Sequence, residues 1–364
     1  MEIRVESSAE RIESLRESWN ALFARCSERV VFSSHAWISS AYRSYRESRP
    51  LVLLVYEDKK LAAVFPFALR DIRLKGMRVR AVVHGASDRA DYAGFLIDPC
   101  LNPRLVVSRV IRRLLELQAE LGWRIISLAN LSERDSSSVL FRELLEREGF
   151  GGSAPSDVTP RVLLARPFEE AKKVSNVKRR FRKLSESREV SVVLGASADD
   201  ALVSRLVALH EKSYPGAAFN SVRGREFFAN LCSDPVFREW VEVCTVTVDG
   251  ELIAAHFGFY LDRRLYYYVP MFDQRYAAYG PGQYLLWRML SHYRELGAEE
   301  FDFLRGGEDY KYQWMNDVTR NFRVWAVAKG AGSGIRALVR ALVLRDSYAA
   351  LGSSGNKADE GQSD

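Results

Sequence analysis

Glu57-Asp58-Lys59-Lys60-Leu61-Ala62-Ala63 and Asp249-Gly250-Glu251-Leu252-Ile253-Ala254-Ala255 set the same polar turn ahead of the same small-residue strand in the two halves of the chain. Asp-Gly between apolar runs is a hairpin signal. It predicts that Val241 to Val248 pairs with Leu252 to Tyr260, as Leu51 to Tyr56 pairs with Leu61 to Leu69. The order around each hairpin also recurs. A helix precedes it (Ser8 to Cys26, with Ile12, Leu15, Trp19, Leu22 and Phe23 on one face; Asp199 to Ser213 in the second half). A strand follows (Val79 to Val83; Arg264 to Val269), then a long helix closed by glycine (Pro103 to Leu121 before Gly122; Gln283 to Leu296 before Gly297), then another strand (Ile125 to Leu128; Glu300 to Leu304). In the first half, a strand from Tyr92 to Ile97 and a helix from Ser137 to Glu148 complete the set. One α/β unit duplicated in tandem accounts for this repetition.

The small, turn-rich run Gly151-Gly152-Ser153-Ala154-Pro155-Ser156-Asp157 is either the boundary between the copies or a long loop within one sheet. Taken as a boundary, it divides the chain into domains 1–157 and 158–330. Beyond them, 331–351 reads as an amphipathic helix with Ile335, Leu338, Val339 and Leu342 on one face and Arg336, Arg340 and Arg345 around the other. The small polar tail 352–364 is expected to be disordered.

With 364 residues, 47% hydrophobic and 27% charged, the chain has the balance of a globular protein with two cores. Its start, Met1-Glu2-Ile3-Arg4-Val5-Glu6, has no apolar run of a secretory leader, and no stretch reaches the roughly 18 apolar residues of a membrane span, so a cytoplasmic location is expected. Four scattered cysteines, Cys26, Cys100, Cys232 and Cys244, form no Cys-x-x-Cys pair, which argues against a zinc site or a disulfide framework and for buried free thiols. The net charge of +6 favours anionic partners: a phosphate-bearing cofactor, a nucleotide-sugar or a lipid headgroup.

Chemistry concentrates in the second half. Tyr279-Gly280-Pro281-Gly282 is a tight turn opening a helix, where exposed backbone N–H groups favour an anion. After the next strand, Asp302-Phe303-Leu304-Arg305-Gly306-Gly307-Glu308-Asp309-Tyr310-Lys311-Tyr312-Gln313-Trp314 brings acids, a tyrosine and a lysine together, the groups that proton transfer needs. Asp302 alternates with Phe301 and Phe303, so its side is expected to meet solvent or a cleft. A basic helix runs through Asn176-Val177-Lys178-Arg179-Arg180-Phe181-Arg182-Lys183-Leu184. Counting Lys172 and Lys173, it holds seven cations without an acid between them, while Val174, Val177, Phe181 and Leu184 keep one apolar face.

These stretches, with Asp88-Arg89-Ala90-Asp91-Tyr92-Ala93-Gly94-Phe95, resemble acyltransferases of the GNAT superfamily of the CelD/BcsL type, associated with cellulose or exopolysaccharide synthesis and related in fold to the FemAB-like peptidyltransferases. Arg305-Gly306, Tyr310-Lys311 and Trp314 stand where that family carries a Gly-Asp-Tyr-Lys-like run, and Asp91-Tyr92 where it often has an Asp-Tyr pair. The resemblance covers most of the chain. It implies an α/β protein of two tandem GNAT-like domains, the second binding an acyl-CoA co-substrate and no metal, with a hydroxyl or amine of a saccharide or polysaccharide precursor, with or without a phosphate, as acceptor.

On that resemblance Gly280, Gly282 and Gln283 take the cofactor phosphates. Two departures stand out: Ala277 replaces the usual Gln or Arg, and Pro281 lacks an N–H. Arg275 is the candidate to supply the missing cation. The resemblance makes Tyr310 the proton donor to a departing thiolate, and Lys311 beside it is expected to lower its pKa. His256, Glu308 and Asp302 compete as base for the acceptor, His256 equally suiting a core position and His210 reading as structural. Tyr266 and Tyr268 share a strand face suited to a sugar cleft or to packing alone. Arg179 and Arg180 are expected to hold a phosphate-bearing acceptor or an anionic membrane surface, and Asp91, Tyr92 and Arg305 complete the acceptor set. Direct attack in a ternary complex is expected, because no serine or cysteine sits in a nucleophile motif. Two alternatives stay open: an aminoacyl-tRNA-dependent ligase like the FemAB group, and a silent saccharide-binding or scaffold protein of the same fold.

Overall fold

The computed structural model describes residues 1–86, 89–149, 151–166, 171–197, 199–217, 220–328, 330 and 332–355, with the side chains of 171–173, 200 and 346–355 outside the description. Asp88, the side chains of Lys172 and Lys173, and the tail beyond Gly355 therefore lie outside it. The chain forms two compact units, one of Met1–Val158 with Thr319–Asp364, the other of Thr159–Val318.

The first unit starts with β1 (Glu2–Glu6), α1 (Ala9–Glu13), α2 (Arg16–Arg25), α3 (His35–Ser44), β2 (Arg49–Glu57), β3 (Lys60–Leu74), β4 (Met77–His84) and β5 (Leu96–Ile97). α4 (Pro103–Leu121), β6 (Ile125–Ser132), α5 (Ser136–Arg147) and the start of β7 (Gly151–Leu163) follow. The second unit holds the rest of β7, α6 (Ala171–Ser185), β8 (Val190–Ala196), α7 (Asp200–Ser213), α8 (Val222–Ser233), α9 (Pro235–Arg238), β9 (Val241–Val248), β10 (Glu251–Leu261), β11 (Arg264–Phe272), α10 (Pro281–Glu295), β12 (Glu300–Asp302) and α11 (Asp309–Tyr312). β13 (Asp317–Val327) returns the chain to the first unit, which α12 (Ser333–Gly355) ends.

The duplication is visible in the pairing. In the first unit β1-β2-β3-β4 run antiparallel, β4 pairs β6 in parallel across the α4 crossover, and β6 pairs β13 antiparallel. In the second, β8-β9-β10-β11 run antiparallel, β11 pairs β12 in parallel across α10, and β12 pairs β7 antiparallel. The hairpin tips match as well: Asp58-Lys59 and Asp249-Gly250 all have positive φ, the backbone that two-residue hairpin turns require. One core packs Phe65, Phe67, Phe95, Trp123 and Phe141 with α4; the other packs Leu265, Tyr267, Phe301 and Trp314 with α6 and α10.

The fold departs from the sequence reading in places. The stretch 8–26 is two helices, broken at Ser14-Leu15, though Ile12, Trp19, Leu22 and Phe23 do point inward. Gly151 to Asp157 is a strand, because Gly151 lies so close to the Trp325 carbonyl that no Cβ fits; its glycine serves strand packing rather than a turn. Residues 319–330, assigned to the second domain, cluster with the first. Residues 352–355 continue α12, on which Leu338 and Val339 are buried and Ile335 and Leu342 half-buried. Of the cysteines, Cys26 and Cys244 are buried, but Cys100 is exposed and Cys232 intermediate. Among the described residues no helix is long and apolar enough to cross a membrane, and no cluster of three His, Cys, Asp or Glu side chains could hold a metal ion.

Candidate active site

The second unit builds its site from the turn that opens α10. β11 ends at Phe272, and the buried Asp273 caps a short 3-10 turn, Gln274–Tyr279, by accepting the Arg275 N–H at 3.0 Å. Gly280 closes that turn with its N–H on Ala277 O at 3.0 Å, and its φ of +64° is the left-handed conformation that favours glycine. Pro281 then starts α10 at its first position, where its fixed φ suits the helix. Tyr284 N–H bonds Gly280 O at 3.0 Å, whereas no group among the described residues accepts the N–H of Gly282 or Gln283. Two first-turn N–H donors without an acceptor at the positive end of a 15-residue helix are the arrangement that favours an anion. A Cβ on Gly282 would meet the Phe272 ring at 3.4 Å, so the backbone here has a floor on one side.

The cation at the turn comes from the basic helix. Phe181 of α6 stacks flat on Tyr284 of α10 at 3.7 Å, and Lys178 lies 4.3 Å over the Trp287 ring. This docking carries Arg180 onto the turn, where Nε donates to Ala278 O at 3.0 Å and Nη2 to Ala277 O at 2.9 Å. Its guanidinium carbon stands 3.5 Å from where a Gly280 Cβ would be, and Nη1 has no acceptor among the described residues. Arg275, expected in this role, is instead tied to Asp273 at 2.7 Å and to Glu251, because both carboxylates flank it at the base of the turn. Arg179, its neighbour on α6, points elsewhere: it is exposed and donates to Asn176 Oδ1 at 3.0 Å.

Beside the turn the sheet opens. β12 pairs β11 only from Arg264↔Glu300 to Tyr266↔Asp302, while β11 runs on to Phe272. At the same level β11 bulges: Phe257↔Val269 and Phe259↔Tyr266 are successive partners, so Tyr267 and Tyr268 oppose Gly258 alone. His256 closes the gap by accepting the Tyr268 N–H on Nε2 at 3.2 Å, its ring stacked on Tyr267 at 4.5 Å. Gly258 has no Cβ to collide with that ring or with the Tyr266 carbonyl. Burial pushes the His256 pKa down to about 3, which makes it a neutral acceptor rather than a general base.

The segment after β12 differs most from expectation. Asp302 is fully buried and accepts the Leu304 N–H at 2.7 Å, so it shapes the strand end instead of facing a cleft. Lys311 is buried, donating to Arg305 O at 2.7 Å and pairing with the exposed Glu308 at 2.8 Å. That cation is spent inside its own turn, and Tyr310 is not lowered: burial, Glu308 and Tyr214 raise its pKa above the ordinary phenol value. Tyr310 sits edge-on to Phe303 and close enough to Tyr267 and Tyr214 to share their electrostatics. Gln283 turns its side chain to Trp314, whose indole N–H it accepts at 3.0 Å, locking the start of α10 to the segment after α11.

The remaining acceptor candidates scatter. Tyr266 is buried, its hydroxyl 3.3 Å from Arg264 Nη1, and Tyr268 is half-buried against Phe228 and Phe259, so packing rather than an open cleft engages both. Arg305 is half-buried, its carbonyl holding Lys311. Asp91 and Tyr92 belong to the first unit, where the Asp91 carbonyl accepts from Asn321 at 2.8 Å and Tyr92 is buried edge-on to Phe32. His210, read as structural, pairs with Asn220 at 2.7 Å. The corresponding helix of the first unit, α4, starts differently: Asn102 caps it by accepting the Leu105 N–H at 3.2 Å. Sequence reasoning missed the Arg180 contact and the bulge; the run Tyr266-Tyr267-Tyr268 beside Gly258 was the available signal for the latter.

Residues 171–312, which contain α6, the β11 bulge, the α10 turn and Tyr310, match the family of acetyltransferase (GNAT) domains. Three solved structures share the fold over nearly the whole chain. L-PGS from Bacillus licheniformis is 10% identical, covering 94% of this chain and 99% of that one, with a TM-score of 0.56. FemX is 10% identical, covering 90% and 98%, with a TM-score of 0.59. The C-terminal domain of a putative lysylphosphatidylglycerol synthetase from Agrobacterium fabrum is 10% identical, covering 92% and 96%, with a TM-score of 0.52. Among curated proteins none matches this chain significantly. The chain has the GNAT-like fold, and its residues 171–312 match an acetyltransferase domain of that type.

Proposed function

We propose that the second unit takes an acyl group from acyl-CoA and passes it to a hydroxyl or amine of a saccharide precursor, as in the CelD/BcsL-type acyltransferases. The observation that carries this reading is Arg180 on the α10 turn: one cation and two unaccepted backbone N–H groups converge where Gly280 and Gly282 leave the backbone uncovered. The donor set suits a pyrophosphate, which wants directed N–H groups and a planar cation rather than a metal. When bound, the thioester supplies an activated acyl carbon. The opening between β11 and β12 offers its pantetheine arm an unpaired strand edge beyond Tyr266.

In this reading Tyr310 returns a proton to the leaving thiolate. Its phenol is protonated at neutral pH, and burial with Glu308 and Tyr214 raises its pKa further. The exposed cations of α6, Arg179 and Lys183, remain for a phosphate on the acceptor. Glu308, exposed within its pair with Lys311, is the base candidate that solvent and an acceptor can reach.

The test is calorimetry of the purified chain with acetyl-CoA, longer acyl-CoA and charged tRNA, followed by thiol release on adding candidate acceptors. Acyl-CoA binding with acceptor-dependent CoA release supports the proposal. Binding of charged tRNA without acyl-CoA would transfer the reading to an aminoacyl-tRNA-dependent ligase, and saccharide binding alone to a silent binding protein.

A further inference from the structure

A cavity of about 660 Å³ lies in the second unit, and none of its lining residues belongs to the α10 turn. α7 contributes Val203, Leu206 and Val207, α8 contributes Phe228 and Ala229, and Phe257 of β10 forms the floor. Phe257 and Phe228 meet edge to face with ring centroids 5.8 Å apart, so the floor is a fixed aromatic wall. Cavities of this size suit a small ligand, and an apolar lining holds water poorly because it offers few hydrogen-bond partners.

The charged residues lining it are both cationic. Arg225 and Arg238 line the cavity, and no aspartate or glutamate is among the residues that do. Arg225 is half-engaged by Glu211 at 3.2 Å, whereas Arg238 is exposed and has no ion pair among the described residues. A mostly apolar cavity, with Ser204, Cys232 and Ser233 its uncharged polar lining and a cation at its edge, is complementary to an amphiphile with an apolar chain and one anionic head. We propose that this cavity binds a long-chain fatty carboxylate, the chain lying between α7 and α8 over Phe257 and the head meeting Arg238 with support from Arg225. The site is independent of the donor reading, since neither its residues nor its chemistry are those of the turn.

The test uses the full chain and sodium palmitate below its critical micelle concentration, by calorimetry, with octanoate and hexadecanol as controls. Palmitate is expected to bind with one-to-one stoichiometry. Octanoate should bind at least tenfold more weakly, because each buried methylene adds to the transfer free energy, and hexadecanol should also lose at least tenfold for want of the carboxylate. Ala229→Trp fills the cavity from an exposed helix position and should abolish binding, and Arg238→Glu should weaken it at least tenfold, both with unchanged melting temperature and CoA affinity. No palmitate binding, equal binding of octanoate, or binding indifferent to both variants overturns the proposal. Variant-sensitive binding to phosphatidylglycerol vesicles without binding of palmitate would also overturn it, assigning the patch to a membrane surface.

Discussion

His256 Nε2 accepts the backbone N–H of Tyr268 at 3.2 Å, a side chain standing in for the strand partner that the β11 bulge removes. The ring must be neutral to do this, and burial keeps it so by lowering its pKa to about 3. The stability that His256 contributes is therefore fully present above its ordinary value near 6.5 and is lost as pH falls toward 3, because the unfolded chain binds the proton that the folded one excludes. His84, buried in the first unit with its pKa lowered to about 4, acts in the same direction. Unfolding followed by urea from pH 7 to 4 should show falling stability, with a shallower slope in His256→Gln.

Gly258 makes that contact possible. Gly258→Ala places a methyl group against the Tyr266 carbonyl and the His256 ring, and is expected to destabilise the chain by about 1–3 kcal/mol as overpacking does. Gly76→Ala, where a Cβ meets nothing within 4 Å but φ is +86°, is the control for backbone strain without a clash. A melting temperature lowered no more by the first than by the second would count against the tight bulge.

Tyr310→Phe retains the ring against Phe303 and removes only the hydroxyl. Turnover should drop by roughly 10²–10⁴-fold with little change in stability. Since burial and Glu308 raise the phenol's pKa, no alkaline limb from this group should appear in the wild-type pH–rate profile below about pH 10. A limb near pH 8 that vanishes in the variant would contradict the raised value.

Lys311→Met removes a buried cation that ties Glu308 to the Arg305 carbonyl. Losing this hydrogen bond from a charged donor should cost about 1–3 kcal/mol. Hydrogen exchange should accelerate over residues 305–314 and stay unchanged in the first unit; unaltered protection would mean the ammonium is dispensable to the turn.

The duplicated architecture was legible because hairpin tips and crossover helices announce themselves locally: Asp249-Gly250, Gly122 and Gly297 each sit where backbone geometry restricts the residue. Helix α4 could be read to its ends from Pro103 and Gly122. What could not be read depends on long-range pairing. Gly151 and Gly152 look like loop residues until the Trp325 carbonyl fixes one of them in a strand, and Asp302 looks cleft-facing by alternation until the strand ends and its carboxylate folds back on Leu304. The basic helix was legible as amphipathic, but not that Phe181 on Tyr284 would deliver Arg180, rather than Arg275, to the glycine turn.

That delivery is the central claim, and the affinity difference between CoA and pantetheine tests it most directly. The wild-type chain should bind CoA at least tenfold more tightly than pantetheine, the excess falling with salt because it reports phosphate contacts. Arg180→Ala should erase most of the excess, Arg179→Ala should leave it intact while raising the acceptor's KM, and Gly282→Val, pressing on Phe272, should abolish it in a folded protein. Equal affinity for CoA and pantetheine in the wild type, or an undiminished CoA preference in folded Arg180→Ala and Gly282→Val, would contradict a phosphate site at the α10 turn.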